Sequence, residues 1–164
     1  MAASGPVVIG FDGSAAALHA VRSAGGLLAG RRGLVVVVWK QGLGFELLSL
    51  PTSSVGLPPT TLNVAEALEA DRTLYERAEE LAQQGAALAR AAGLEADALI
   101  EADDVDVPIS DTLTRVAREH DAAALVVGSH HHGREGELLP GTITRGVLRR
   151  ATVPVLVVRH TGAD

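Results

Sequence analysis

The sequence predicts a single α/β domain over residues 1–164, built on an open parallel sheet of five strands with helices on both faces. Two observations predict this architecture. Short apolar runs alternate with segments of helical periodicity, and the stronger runs are continuously apolar rather than alternating with polar residues. Strands covered on both faces have this pattern, and strict alternation of strands and helices is typical of parallel sheets joined by crossover helices.

Five runs rich in β-branched and aliphatic residues are the predicted strands. Four of them are strong, and the third in chain order is weaker. The runs are Val7–Phe11, Leu34–Trp39, Ala98–Glu101, Ala123–Val127 and Val155–Val158. Their lengths are usual for strands of globular proteins.

Helical periodicity fills the intervals between these strands. Ser14 is a candidate N-cap of the first helix, and an Asn-x-x-Glu capping box at Asn63 precedes the second. The third helix follows Pro108, and the fourth opens at Gly141-Thr142. Residues 41–62 interrupt the alternation with glycines, prolines and no period, so they predict a long surface loop, either a lid or a disordered segment.

The composition excludes several classes of function. The 14 lysines and arginines are outnumbered by 20 aspartates and glutamates, and aromatic residues make up 2% of the chain. Nucleic-acid-binding proteins usually bring a basic face and stacking rings, so we expect no nucleic-acid partner. Because the chain has no cysteine, disulfides, thiolate nucleophiles and cysteine-type zinc sites are excluded.

The N-terminus and the apolar runs bear on localisation. The first residues, MAASGPVVIGF, lack the basic segment and long apolar run of a signal peptide. The longest strongly apolar runs, Leu34–Trp39 and Ala122–Val127, are six residues each, whereas a membrane-spanning helix needs about 20. We therefore expect a cytoplasmic protein with no membrane partner.

The usual phosphate-binding motifs are absent. A Walker A loop requires Gly-Lys-Ser/Thr, and the only lysine, Lys40, lies between Trp39 and Gln41. A dinucleotide fingerprint requires three spaced glycines after the first strand, where this chain has only Gly10-Phe-Asp-Gly13. Any phosphate bound here must therefore rely on another arrangement.

A glycine-rich link between the fourth strand and the last helix offers one. The strand ends at Gly128, and Gly141-Thr142 opens the helix. Backbone amides at a helix N-terminus, with a hydroxyl beside them and a glycine that allows close approach, form an anion site. Thr142 is also consistent with an ordinary N-cap, and both interpretations stay open.

These residues resemble the universal stress protein family over nearly the whole chain. Nucleotide-binding members of that family carry Gly-x2-Gly-x9-Gly-Ser/Thr at this link, followed by a terminal strand reading roughly Pro-Val-Leu-Val-Val. Gly128, Gly141-Thr142 and Pro154–Val158 fall at matching distances, and residues 7–14 (VVIGFDGS) resemble the family's first strand and Asp-containing turn. The resemblance implies a flavodoxin-like or Rossmann-like sheet of order 3-2-1-4-5, with a ligand crevice between strands one and four.

The resemblance further implies an adenine nucleotide in this crevice. ATP is the expected ligand, with Mg²⁺ only as its companion. Asp12 would lie near adenine or ribose, Val38 against the base, Val127 and Gly128 beside the ribose, and residues 141–144 at the phosphates. The implied binding residues are Gly10, Phe11, Asp12, Val38, Val127, Gly128, His131, Gly141, Thr142, Ile143 and Thr144. From their types alone, Asp12 could instead hold its own turn, and Val38 could be a core residue.

One position departs from the family's pattern. His131 stands where the second glycine of the motif falls, and Gly133 comes two residues late. A histidine is costly where a positive φ or a close phosphate is needed, although its ring could donate a hydrogen bond to phosphate. The sequence therefore leaves open a nucleotide-binding regulatory module and a nucleotide-independent dimeric interaction protein with a closed phosphate loop.

An enzyme using the same crevice is a third hypothesis, but no general base, nucleophile or metal set stands out. If the protein hydrolyses ATP slowly, Asp12 and His131 are the candidate residues. Three consecutive histidines, His130–His132, cannot all point one way, so a solvated or phosphate-facing loop is favoured over a metal site. The acidic run Glu101–Asp106 lacks the glycine turn of a calcium loop and predicts a solvated loop.

The last strand predicts a second copy of the chain as partner. Proline suits the start of a strand, and the residues after it would form an apolar sheet edge, which proteins normally cover. Members of the resembled family cover it by pairing this strand with its copy about a twofold axis. We expect a homodimer through Val153, Pro154, Val155, Leu156, Val157, Val158 and Arg159.

Overall fold

Five parallel strands and four helices alternate along the chain in a computed structural model that describes residues 5–43, 64–130 and 141–160. The strands are β1 (Val7–Gly10), β2 (Arg32–Gln41), β3 (Glu95–Asp104), β4 (Ala124–His130) and β5 (Val155–His160). The helices are α1 (Ala15–Leu27), α2 (Val64–Ala91), α3 (Ile109–Glu119) and α4 (Thr142–Arg150). The sheet order is β3-β2-β1-β4-β5, which confirms the predicted fold class.

The central strand β1 shows why the apolar runs are continuous. Val7 pairs in register with Gly33 of β2 and Ala124 of β4. Because successive side chains of a strand point to opposite faces, Val7 and Ile9 enter one core cluster and Val8 enters the other. Both clusters are closed by helices, so every position of the strand is apolar.

The two helical layers differ in what they cover. On one face, α1 lies over β4 and β5 while α2 lies over β2 and β3. On the other face, α3 lies over the middle of the sheet and packs against α4. The two helices of this second layer approach closely, since a Cβ atom on Gly146 would lie 2.3 Å from the Ser110 hydroxyl oxygen.

The prediction of a solvated loop at residues 101–106 is wrong for its first part. Strand β3 continues through Asp104 and stays paired with β2 as far as Gln41. Glu101 and Asp103 bind the guanidinium of Arg115 on α3, at 2.8 and 3.0 Å. An edge strand with one thinly covered face can carry acidic residues when a helix supplies the counter-charge.

Strand β2 ends at Gln41, the first residue of the predicted loop 41–62, and Gly42 follows with a φ of 80°. The rest of that loop, like Asn63, lies outside the described residues. Within the described ranges, no helix combines the length and the apolar character that crossing a membrane requires.

Candidate functional site

A cavity of about 440 Å³ opens at the carboxyl ends of β1 and β4, where the strand order reverses. From β1 the chain leaves to α1 on one face, and from β4 it leaves to α4 on the other. A crevice forms between two neighbouring strands whose connections diverge in this way, and ligands of open α/β sheets bind there.

Ten of the residues implied by the sequence line this cavity. They are Gly10, Phe11, Asp12, Val38, Val127, Gly128, Gly141, Thr142, Ile143 and Thr144. His131 lies outside the described residues. The structure therefore brings these ten residues to one place, and their roles toward a ligand are argued below as a proposal.

Asp12 is fixed in the turn after β1. Its Oδ1 accepts a hydrogen bond from the Ser14 backbone N–H at 3.0 Å, so the turn role weighed for this residue is present. Ser14 in turn caps α1, its hydroxyl accepting from the Ala17 N–H at 3.2 Å. The Asp12 side chain is exposed at the cavity, and its Oδ2 lies outside this bond, where it can accept from a ligand hydroxyl or amino group.

Phe11 and Val38 both contribute apolar surface from the strand ends. The Phe11 ring is 5% exposed and packs against α2 at Gly85, where an added Cβ would lie 2.7 Å from the ring. Val38 is half-buried and packs against the core under α3. Val38 thus belongs to the core and lines the cavity, while the Phe11 side chain serves mainly the core.

Gly128 allows α1 to lie directly on β4. A Cβ atom added there would meet the Ala16 carbonyl carbon and oxygen at 2.5 Å and the Ala17 nitrogen at 2.9 Å. Only a residue without a side chain permits this backbone contact. The glycine that the sequence places beside a ligand therefore also sets the position of the first turn of α1.

The N-terminus of α4 forms the opposite wall of the cavity. Gly141 is the N-cap and makes no side-chain cap bond, so the interpretation of Thr142 as N-cap is wrong and Thr142 is the first helical residue. Thr144 is 2% exposed, and its hydroxyl donates to the Gly128 carbonyl at 3.5 Å. Because that side chain is almost fully buried, the backbone amides of this turn are the better donors toward a ligand.

The positive potential at the described part of this cavity comes from helix N-termini and not from cationic side chains. The first turns of α1 and α4 both line the cavity, and such turns carry N–H groups without intrahelical acceptors and the positive end of the helix dipole. Among the described residues that line it, Asp12 is the one with a charged side chain. In the same described ranges, no cluster of three or more histidines, aspartates or glutamates is arranged to hold a metal ion.

Residues that the sequence did not single out complete the cavity. Ile109 and Leu113 of α3 contribute from one face of the sheet, Leu81 of α2 from the other, and Ser129 from β4. Ser129 directly follows Gly128 and could have been found from the end of the strand. The two α3 residues looked like ordinary core positions, because helical spacing does not show which part of a core faces a crevice.

The sequence and fold match one family. The family model described as "Universal stress protein family" matches residues 45–159. No curated protein sequence matches the chain significantly.

Three solved structures have the same fold. A universal stress protein in complex with cAMP is 22% identical, with a TM-score of 0.60 and coverage of 94% of this chain and 96% of that one. The universal stress protein of Archaeoglobus fulgidus in complex with dAMP is 22% identical, with a TM-score of 0.57 and coverages of 93% and 96%. A family protein of Arabidopsis thaliana with AMP bound is 13% identical, with a TM-score of 0.60 and coverages of 98% and 97%. Since the family model matches most of the chain, this protein belongs to the universal stress protein family.

Proposed function

We propose that this protein binds an adenine nucleotide, with ATP as the expected species, in the crevice between β1 and β4, and acts in the cytoplasm as a regulatory stress-response module. The observation that carries the proposal is the convergence of the ten implied residues on one cavity. Three structural relatives in complex with cAMP, dAMP and AMP support an adenine nucleotide as the ligand class.

The cavity offers one group of partners to each part of a nucleotide. Val38 and the apolar residues of α3 suit the flat faces of a base, and the Asp12 carboxylate suits an amino group or ribose hydroxyl. The first-turn amides of α4 suit the phosphates. In this arrangement Mg²⁺ arrives only as the companion of ATP, since the proposal needs no protein-bound metal.

A binding role fits the residues better than fast catalysis. The polar side chains that line the described part of the cavity are one carboxylate, two serine hydroxyls and two threonine hydroxyls, and the carboxylate is tied to its own turn. Turnover needs a positioned base or nucleophile with a matched pKa. Slow ATP hydrolysis is tested by substituting Asp12 and His131.

The binding proposal is tested by placing a negative charge at the phosphate wall. Ile143 lies in the first turn of α4, is 38% exposed and lines the cavity. A glutamate there is favoured by the helix dipole, so Ile143→Glu should fold normally. At roughly 6 Å its charge should weaken ATP binding by about tenfold, and AMP binding by less, because the Coulomb energy scales with ligand charge. Calorimetric titration with ATP, ADP and AMP measures both affinities.

Leu27→Glu is the matched control. Leu27 is 68% exposed at the far end of α1, about 18 Å along the helix from its first turn, and the variant carries the same added charge. It should bind nucleotide as the wild type does. Equal affinities in the wild type and Ile143→Glu would contradict the proposed phosphate position, and a wild type that binds none of the three nucleotides would overturn the function.

A nucleotide-independent interaction protein is the second candidate. His131 favours it, because this residue stands where the family's motif has its second glycine. His131→Gly restores the family's motif, so a variant that binds nucleotide beside a wild type that does not would establish this candidate.

We further propose that the chain forms a homodimer through residues 153–159. The two edges of the sheet differ in a way that supports this interface. The β3 edge carries Glu95, Asp97, Glu101, Asp103 and Asp104, and charges on an edge strand oppose pairing with another sheet. The β5 edge reads VLVVRH, and its first three residues are only half-buried. The apolar edge is the one that requires a partner.

A lysine on each edge strand tests the dimer. Val157→Lys should give a monomer at micromolar concentration, because a buried, unpaired ammonium at an interface is costly. Ala102→Lys places the same charge at an exposed position of β3 and should leave the dimer intact. Sedimentation or light scattering measures the mass. A Val157→Lys protein that stays dimeric would disprove the interface.

A further inference from the structure

The only lysine of the chain joins two segments that are distant in sequence. Lys40 is the penultimate residue of β2, and its Nζ donates to the backbone carbonyl of Asp104 at 3.0 Å and to that of Val107. Both carbonyls belong to the turn between β3 and α3. Hydrogen bonds from an ammonium group are stronger than those between neutral partners, so this side chain is a substantial attachment for the turn.

The turn has few other attachments. None of residues 104–108 is buried, so the turn contributes no side chain to the core. Internally it is closed by one bond, from the Val107 N–H to the Asp104 carbonyl at 3.1 Å. Pro108 caps α3 without a side-chain cap bond. Lys40 therefore holds the turn from outside, while the first turn of α3 is also held by the Thr112–Asp103 hydrogen bond at 2.9 Å and the Asp111–Arg150 ion pair at 3.2 Å.

The start of α3 is also a wall of the cavity. Ile109, the first residue of the helix, and Leu113, one turn later, both line it. Leu113 approaches the floor of the crevice closely, since a Cβ on Gly10 would lie 2.9 Å from its Cδ1. A shift of the turn therefore moves the apolar surface that faces the ligand.

We propose that Lys40 is a positioning residue of the nucleotide site, which holds the wall formed by Ile109 and Leu113 at the distance that a base requires. This inference rests on the proposed function. Lys40 does not line the cavity and so acts through α3, not by contact with the ligand. Arg115 does not duplicate this role, because its guanidinium bonds Glu101, Asp103 and Glu119 and holds the middle of the helix.

Lys40→Met tests the inference, because methionine keeps an apolar stem and removes the three donors. We expect AMP to bind about threefold to tenfold more weakly, the range of couplings carried by residues that do not touch a ligand. Amide hydrogen exchange in the ligand-free protein should be faster at residues 109–113 and unchanged in the core of β1. Lys40→Arg keeps charge and donors and should restore most of the affinity. Lys40→Leu, which also lacks donors, is the alternative if the methionine variant does not fold.

Arg72→Met is the matched control. It removes the same charge at an exposed pair on α2, where Arg72 and Glu76 are 72% and 57% exposed. It should bind AMP and exchange its α3 amides as the wild type does. If Lys40→Met binds AMP as tightly as the wild type, or if Arg72→Met loses as much affinity, the positioning role is wrong while the proposed function stands. A wild type that binds no nucleotide overturns both.

Discussion

Replacing Gly128 by alanine should lower the free energy of unfolding by about 3 kcal/mol and weaken nucleotide binding together with it. An added Cβ would lie 2.5 Å from the carbonyl carbon and oxygen of Ala16. The obstruction is backbone, so no side chain can rotate away, and α1 must move off β4. For a domain of this size the melting temperature should fall by roughly 6–12 °C.

The displacement reaches the site through the turn that starts α1. Ser14 and Ala17 line the cavity, and Asp12 is bonded to the Ser14 N–H. When the first turn of α1 moves away from β4, this carboxylate moves with it. Affinity should therefore fall even in the fraction of the protein that remains folded, as measured by titration at a temperature well below the transition.

Gly26→Ala is the control within the same helix. A Cβ on Gly26 meets nothing within 4 Å, so the substitution should raise stability by about 0.5–1 kcal/mol through helix propensity. Nucleotide affinity should stay unchanged in that variant. If Gly128→Ala melted at the wild-type temperature, the close contact of α1 with β4 would not exist as described.

Parts of the molecule could be predicted from sequence because they depend on local pattern and topology. β1, β2 and β4 are buried on both faces, so their runs are continuously apolar. Asp12 follows β1 closely, Gly141 opens α4, and Gly128 lies two residues before the end of β4, which continues past its predicted end at Gly128 to His130. A parallel sheet brings such positions to one edge. The convergence of these residues follows from the order of the elements alone.

Other parts depend on contacts that no local pattern shows. The second half of β3 is acidic and is still a strand, because Glu101 and Asp103 accept hydrogen bonds from Arg115, which follows them on α3 by fourteen and twelve residues. From the sequence, Lys40 was informative only because its position excludes a Walker A loop. Its hydrogen-bond partners, the carbonyls of Asp104 and Val107, lie more than sixty residues away in the chain. Ile109 and Leu113 reach the cavity through the position of α3, which tertiary packing sets.

The cluster around Arg115 has a pH dependence with a definite sign. Burial alone raises the pKa of the Asp103 carboxyl, but hydrogen bonds from Thr112, Arg115 and the Asp104 N–H, with the charge of Arg115, outweigh burial and hold that pKa below its ordinary value. A lowered pKa contributes stability above the unfolded value of about 3.9, and the contribution is lost as the pH falls through the folded value.

Arg115→Met should therefore cost about 1–2 kcal/mol at pH 7, less than a fully buried pair would, because the Arg115 side chain is 34% exposed. The substitution leaves Glu101 and Asp103 half-buried without their cation. Burial, which raises the pKa of Asp103, is then opposed by fewer hydrogen bonds and by no neighbouring positive charge from residue 115. The difference from the wild type should be largest near neutral pH and should narrow as the pH falls below the ordinary aspartate value of about 3.9 and through the lowered pKa of Asp103. Denaturant unfolding at intervals from pH 7 to pH 3 measures it.

Two further proteins separate charge from packing in this result. Asp103→Asn combined with Arg115→Met should be less destabilised than the sum of the single variants, because one of the two carboxylates left without a cation is removed. Arg72→Met, at an exposed pair, should change stability by at most about 0.5 kcal/mol at any pH. A difference between Arg115→Met and the wild type that stayed constant down to pH 3 would mean that the charge of Arg115 does not stabilise α3.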